Sequence, residues 1–414
     1  MDSSTAKKTF ALIKQKEFSL FILTRFTVIF SLFLQTTVVS YLLYSLTKDP
    51  LSLGLVGLSE LIPAIGFAFF AGYFVDKHDK RTVYLTCIFL YMINAVLILS
   101  ITSTFFIHQH SVHVIALCIY AAMFFSGCIR AFLAPSSFSL LPLLIKREET
   151  SLAVTWSSTS WLLGSVLGPL FGGLLMASIG VSYTLMIAGF VLLISLFCII
   201  QISPKPIITI EEIGFVQGLA QGFRFVFRSE IILAVLALDL FAVLFGGAEA
   251  LLPVYAKEIL HVGPVGYGWL RSAHGIGAIC LMLILAYLPL KNNIGYKLLA
   301  CIVGFGTCII LFGISKYIYF SFAMLFMAGL FDGVSVVIRH SILQLKTPEE
   351  LKGRVSSINM MFISSSNELG AFESGFTARF MGTIPAVVFG GAMTILIVGF
   401  TYFAAPNLKK LKLE

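Results

Sequence analysis

"GSVLGPLFGG", residues 164–173, lies inside a long apolar run, yet half of its positions are Gly or Pro. In water such a segment is a poor helix, because Gly carries excess backbone entropy and Pro removes a hydrogen-bond donor. In lipid the same residues have a use. Small side chains let two helix backbones approach, and neighbouring helices re-satisfy the backbone groups that Pro frees. Gly164, Gly168 and Gly172 recur every fourth residue and so bare one face of a helix.

Composition supports the lipid reading. The chain is 58% hydrophobic, 14% aromatic and only 12% charged, with a mean hydropathy of +0.97. That balance excludes a soluble domain. About 20 apolar residues cross the hydrocarbon layer as a helix, whereas barrel strands are half that length and alternate in polarity. Twelve helical spans are expected, at 18–44, 53–74, 82–105, 112–134, 156–177, 181–202, 231–255, 266–288, 296–314, 317–340, 355–378 and 384–405. The expected fold is therefore an all-α integral membrane protein. The basic N-terminal segment leads into an apolar run too long for a signal peptide, so it is expected to be retained.

The polar stretch 203–230 separates two halves, a bundle over 1–202 and another over 231–414. A repeat spans them: Lys146-Arg147-Glu148-Glu149 leads to Ser157-Ser158, and Lys346-Thr347-Pro348-Glu349-Glu350 leads to Ser356-Ser357, about 200 residues on. Two duplicated six-span halves are a common build of secondary transporters, with the substrate site between them. With the N-terminus inside, 20 of the 28 Lys and Arg fall in inner segments. Four (Lys48, Lys257, Lys316, Arg379) fall in outer segments and four (Arg25, Arg130, Arg271, Arg339) within spans. Positive-inside bias thus places both termini in the cytoplasm. It also accounts for the net charge of +8 through contact with anionic lipid, with no nucleic-acid partner.

Charge at membrane depth is costly and marks function. Toward the outer side lie Glu60, Glu249, Arg271, His274 and Glu373; toward the centre and inner side lie Arg25, Arg130, Asp239, Asp332, Arg339 and Glu368. Desolvation lets a carboxyl there exchange a proton near physiological pH, which makes Asp239 and Glu368, with Glu60 third, the expected proton carriers. Arg271 competes for a carboxylate or meets an anionic substrate group, and it shares a helical face with His274. Glu249 and Glu373 suit an outer gate bonded across helices; Glu368 carries protons or merely knits span 11 to its neighbours. Arg25, Arg130 and Arg339 sit near inner ends, where snorkelling to headgroups is the simpler expectation than substrate contact.

The remaining features are blander. Seven cysteines fall in apolar runs without metal-ligand spacing, and no metal site is expected. His108, His110 and His113 read as a mobile outer turn in preference to a transition-metal site. No P-loop supplies ATP energy, and no nucleophile with its base is visible, so neither an enzyme nor a cofactor is expected; the energy source is a proton gradient.

Two signatures point to a family. Gly164-xxx-Gly168-Pro169-xx-Gly172-Gly173 in the fifth span resembles the antiporter signature of exporters in the major facilitator superfamily. "GYFVDKHDKR", 72–81, resembles that superfamily's cytoplasmic loop signature at Gly72, Asp76, Lys80 and Arg81, while Lys77 replaces Arg and Asp79 replaces Gly. The resemblance implies a cytoplasmic gate latch in which Asp76 faces the N-terminus of a helix, with Arg354 as partner. Stretches 46–64, 242–260, 266–278 and 353–375 further resemble the enterobactin-exporter and macrolide-efflux subgroup. This resemblance implies a proton-coupled antiporter of the bacterial inner membrane, exporting a siderophore-like or drug-like small molecule by alternating access; a single twelve-span chain can form a complete pathway alone, so a monomer is expected. A lipid or lysolipid flippase of the same fold, or a non-transporting sensor, is the competing reading.

Overall fold

The computed structural model describes residues 12–206, 215–287, 293–348 and 351–409. The basic start of the chain, the middle of the linker, Glu349 and Glu350 of the repeat and the last five residues lie outside these. Among the described residues there are twelve long helices besides the linker: α1 (Lys16–Thr47), α2 (Pro50–Lys77), α3 (Lys80–Ile101), α4 (Val112–Leu140), α5 (Thr150–Ile179), α6 (Val181–Ile200), then, after linker helix α7 (Phe215–Arg228), α8 (Glu230–Gly246), α9 (Gly263–Tyr287), α10 (Ile294–Ile314), α11 (Ile318–Lys346), α12 (Lys352–Met381) and α13 (Thr383–Ala404). Among the described residues there is no strand. Eleven of the long segments are apolar enough to cross a membrane. The other, α12, has the length but interrupts its apolar positions with Asn359, Ser364, Ser365, Ser366, Asn367, Glu368 and Glu373.

Two compact units result. One takes the described residues within Met1–Thr47 and Ile62–Ile210, the other those within Lys48–Leu61 and Glu211–Glu414. Within the first, α1 packs on α5 and α6, and α3 packs on α4 and α6. Within the second, α8 packs on α12 and α13, and α10 packs on α11 and α13. The second pattern is the first shifted by six spans, so the repeat seen in "KREE" and "KTPEE" extends to the helix pairing. Single glycines at positive φ join the last two helices of each unit, Gly180 (φ 83°) and Gly382 (φ 89°). Only glycine turns the chain this sharply without a Cβ clash.

The sequence places all of 1–202 in one bundle, whereas the first turns of α2 lie with the second unit. Residues 48–61 belong to the second unit because their glycines lie flat on α12. A Cβ on Gly54 would stand 3.0 Å from Phe372 Cα, and one on Gly375 would stand 2.9 Å from Gly54 N. Arg379 on α12 closes the contact with an ion pair to Asp49 at 2.8 Å.

The opening motif finds its partner in the first unit. A Cβ on Gly164 would meet Ile29 Cγ2 at 2.9 Å, one on Gly168 would meet Phe33 Cβ at 2.7 Å and Phe30 O at 2.8 Å, and one on Gly172 would meet Leu34 O at 3.3 Å. The bare face of α5 is thus filled by the backbone of α1. Pro169 and Gly173 are buried in the same helix, which continues through the proline.

Gly168→Val should lower stability by about 1–3 kcal/mol, the usual cost of overpacking. Gly189→Ala, where no atom lies within 4 Å of the added Cβ, should be close to neutral. Thermal unfolding of the purified protein in detergent reads the difference as a lower apparent Tm for the first variant alone.

Candidate functional site

The ionisable residues of the second unit gather around a broken helix. α8 stops at Gly246, and the chain continues as a 3₁₀ turn (Ala248–Leu251), a short helix (Leu252–Val254) and a π-helical turn (Tyr255–Ile259). Irregular backbone at membrane depth survives only where protein or a cavity satisfies it. Here Ser374 Oγ donates to Gly247 O at 3.1 Å, and the Tyr255 hydroxyl donates to Gly313 O at 2.8 Å. Gly370 admits this turn, since a Cβ there would stand 2.9 Å from Leu244 O. The sequence reads 231–255 as one unbroken span, because no proline precedes Gly246-Gly247 to announce the interruption.

Glu249 projects from the 3₁₀ turn. Its Oε1 lies 2.9 Å from His274 Nδ1 on α9, and His274 Nε2 lies 3.6 Å from Asp332 Oδ2 on α11. Close helix packing sets this geometry: a Cβ on Gly329, one turn before Asp332, would lie 2.0 Å from His274 O, and one on Gly277 would lie 2.1 Å from Phe326 O. Seven residues further along α11, Arg339 forms an ion pair with Asp239 of α8. Both partners are deeply buried, at 3% and 6% exposure. A small cavity with room for about one water lies between the two groups, bounded by Asp239 and Asp332 and closed by Ile302, Phe305 and Phe331.

Arg339 does not snorkel, because its guanidinium is committed to Asp239 inside the unit. Nor does Arg25 in the first unit, where Nε donates to Ser157 O at 3.1 Å and an Nη donates to Ser137 Oγ at 2.6 Å. Arg130 on α4 is half-buried. The division into an outer and an inner layer also gives way, since His274 and Asp332 come from different layers and meet across α9 and α11. Arg271 donates to the Tyr267 hydroxyl at 2.7 Å. Glu60 is buried at 8% exposure. Glu368 places Oε2 3.3 Å from the Cβ position of Gly57, one turn before Glu60, so these two carboxylates occupy one neighbourhood. Glu373 is half-buried on α12, and its backbone carbonyl accepts from Thr377.

The loop signature has a local role in the first unit. Asp79, where the superfamily pattern carries Gly, caps α3 by accepting from Thr82 N at 3.1 Å and Thr82 Oγ1 at 2.6 Å, and it also accepts from Lys205 N at 3.1 Å. Burial pushes the Asp79 carboxyl up, but these hydrogen bonds outweigh it and hold the group below the usual carboxylate range. Arg81 donates to Ile199 O and Ile200 O and so ties off the last carbonyls of α6. Lys80 is buried and donates to Asp76 O at 2.7 Å. Asp76 is exposed, Gly72 half-buried. In the second unit Arg354 donates to Gln221 on linker helix α7. His108, His110 and His113 are exposed, and His108 and His110 bond to backbone carbonyls of their own short helix. Among the described residues no three His, Cys, Asp or Glu side chains converge closely enough to hold a metal ion.

These features define a multi-pass helical membrane protein with paired charges held at membrane depth. The Major Facilitator Superfamily model matches residues 21–371, and the chain belongs to that family. It is 26% identical over 286 residues to the enterobactin exporter EntS of Escherichia coli O1:K1 / APEC, covering 68% of each chain, and equally to that of Shigella boydii serotype 18. Among solved structures it resembles a POT family transporter in complex with 5-aminolevulinic acid (TM-score 0.75, 13% identity, 97% of this chain and 100% of that one). A bacterial homolog to the human lysosomal transporter Spinster is similar too (TM-score 0.73, 13% identity, 97% and 99%). The chain is a membrane transporter.

Asp239→Leu should cost about 3–5 kcal/mol of stability, because it strands a guanidinium that cannot shed its charge. Arg339→Leu should cost less, since the orphaned carboxyl can take up a proton, and the double variant should recover most of the loss; denaturation in mixed micelles orders the three. In the loop signature, Asp79→Ala should remove about 1 kcal/mol at neutral pH. A carboxyl depressed by folding contributes fully above its unfolded value and loses that contribution as pH falls through the lower folded one, so wild-type and Asp79→Ala melting curves should converge below about pH 4.

Proposed function

We propose that this chain is a proton-coupled antiporter that exports an amphipathic small molecule, siderophore-like or drug-like, by alternating access. One observation carries the reading: a buried Asp239–Arg339 ion pair sits between two spanning helices of a transporter, beside a cavity of about one water. Such a pair is expensive to keep in a protein interior and often no better than apolar packing of the same volume, and ionisable residues at membrane depth mark function. Protonating Asp239 is the simplest way to break it. Glu368 and Glu60, which share a neighbourhood at Gly57, are second carriers on this reading.

The antiport direction draws on the Gly164–Gly173 string, and the cargo class draws on the enterobactin exporters that share a quarter of their aligned residues with this chain. The surplus of inner basic residues supports an inner-membrane location with cytoplasmic termini. Arg271, facing the same region as His274, is the candidate contact for an anionic group on the cargo.

In inverted vesicles, uptake of iron-free enterobactin or ethidium should be driven by an imposed proton gradient and fall to the passive leak when a protonophore is added. Asp239→Asn and Glu368→Gln should each uncouple uptake from the gradient. Gradient-driven uptake that persists in both variants would remove these carboxylates from the mechanism.

A further inference from the structure

The sequence places His274 in the outer layer, on one helical face with Arg271, and Asp332 in the inner one. The structure joins them with Glu249 into one line. Glu249 is the accessible end, with its side chain 55% exposed. His274 is the middle, bonded through Nδ1 to Glu249. Its Nε2 is buried, has no hydrogen-bond partner among the described residues and is aimed at Asp332, 3.6 Å away and just beyond bonding distance. Asp332 in turn lines the small cavity that Asp239 also lines.

An imidazole between two carboxylates is chemically a proton shuttle, because one ring nitrogen accepts while the other releases. We infer that Glu249, His274 and Asp332 form a proton relay that loads Asp239 across the cavity and thereby opens the Asp239–Arg339 pair. This rests on the proton coupling proposed above and adds the route by which the proton reaches its carrier. A proton taken up by Glu249 passes to Nδ1, and the ring then releases the Nε2 proton to Asp332 Oδ2, so one proton enters and one leaves. The ring is left protonated on Nδ1 and is reset when that proton is lost to water and Nε2 takes one up, an exchange neutral in protons. From Asp332 the proton crosses the cavity through a single water to Asp239, which loses the charge that held Arg339. Arg339 Nε has no hydrogen-bond partner among the described residues, so losing Asp239 leaves the guanidinium poorly compensated in a buried site. That imbalance is the force the relay applies to the unit.

The surroundings suit this use. The charged groups acting on His274 are Glu249 and Asp332; Arg271, one turn away on its own helix, acts on Glu249, and the π-helical turn packed on α9 carries Lys257 and Glu258. The gap of 3.6 Å is what makes the line switchable, since a movement of half an ångström or so between α9 and α11 makes or breaks the link. The glycines that set this distance, Gly277 and Gly329, leave no slack in the helix pair, so any motion is transmitted directly to the histidine.

The test uses the full chain in proteoliposomes of phosphatidylethanolamine and phosphatidylglycerol, with iron-free enterobactin and ethidium as probes. Net uptake under an imposed proton gradient is compared with probe–probe exchange at zero gradient, which needs no net proton movement. In His274→Ala and Asp332→Asn, net uptake should fall about tenfold or more relative to exchange. Adding imidazole should restore net uptake in His274→Ala but not in Asp332→Asn. Net uptake in His274→Ala equal to wild type would overturn the relay while leaving proton coupling intact. Parallel loss of uptake and exchange, unrelieved by imidazole, would also overturn it and show a structural histidine. A wild-type protein that carries both probes indifferently to the gradient would overturn the coupling itself, and the relay with it.

Discussion

Hydrocarbon offers no hydrogen bonds, and every feature of this molecule answers that constraint. Helices pair backbone groups within the segment, and within span 7 the chain departs from the helix where protein contacts take over. The break after Gly246 shows the rule at work, because a serine hydroxyl and a closely packed glycine on α12 take over the contacts that the helix abandons. Charged side chains obey it too. Arg25 is spread over a hydroxyl and a carbonyl, Arg339 is held by Asp239, and His274 stands between two carboxylates.

Association between helices in this setting rests on contact rather than on expelling water. Glycine therefore does in lipid what leucine does in a soluble core. Along α5 it admits α1, on α11 and α9 it brings Asp332 to His274, and between residues 48–61 and α12 it seats one helix end on another. The same small residues that build the scaffold thus also set the distances within the polar line. A scaffold with bulkier seams would hold the charges apart and leave each of them unpaired.

Much of this was legible in the sequence, for a physical reason. The number and type of spans depend on runs of apolar residues long enough to cross the bilayer, a property of local composition. The duplication is visible because helix ends are punctuated by polar residues and glycines that recur about 200 residues apart. The family was legible from glycine strings, since backbone contact leaves so few permitted residues that the pattern survives in the sequence. Candidate ionisable residues were also found, because a charge within an apolar run stands out. Their pairing was not. Asp239 and Arg339 are 100 positions apart, and nothing in either neighbourhood names the other. The depth of a residue along its span suggested two layers, and tilted, tightly packed helices joined them.

By itself, then, the sequence determined the helical class, the two-fold repeat, the family and the short roll of residues able to carry charge, all of which depend on hydropathy and side-chain size read locally. Only the tertiary structure decided that residues 48–61 go with the second half, that span 7 is broken at Gly247, and that Asp239 faces Arg339 while His274 bridges Glu249 and Asp332. Those outcomes depend on which helix faces pack at which rotation and height, and this is set by the sum of many weak contacts between segments far apart in the chain.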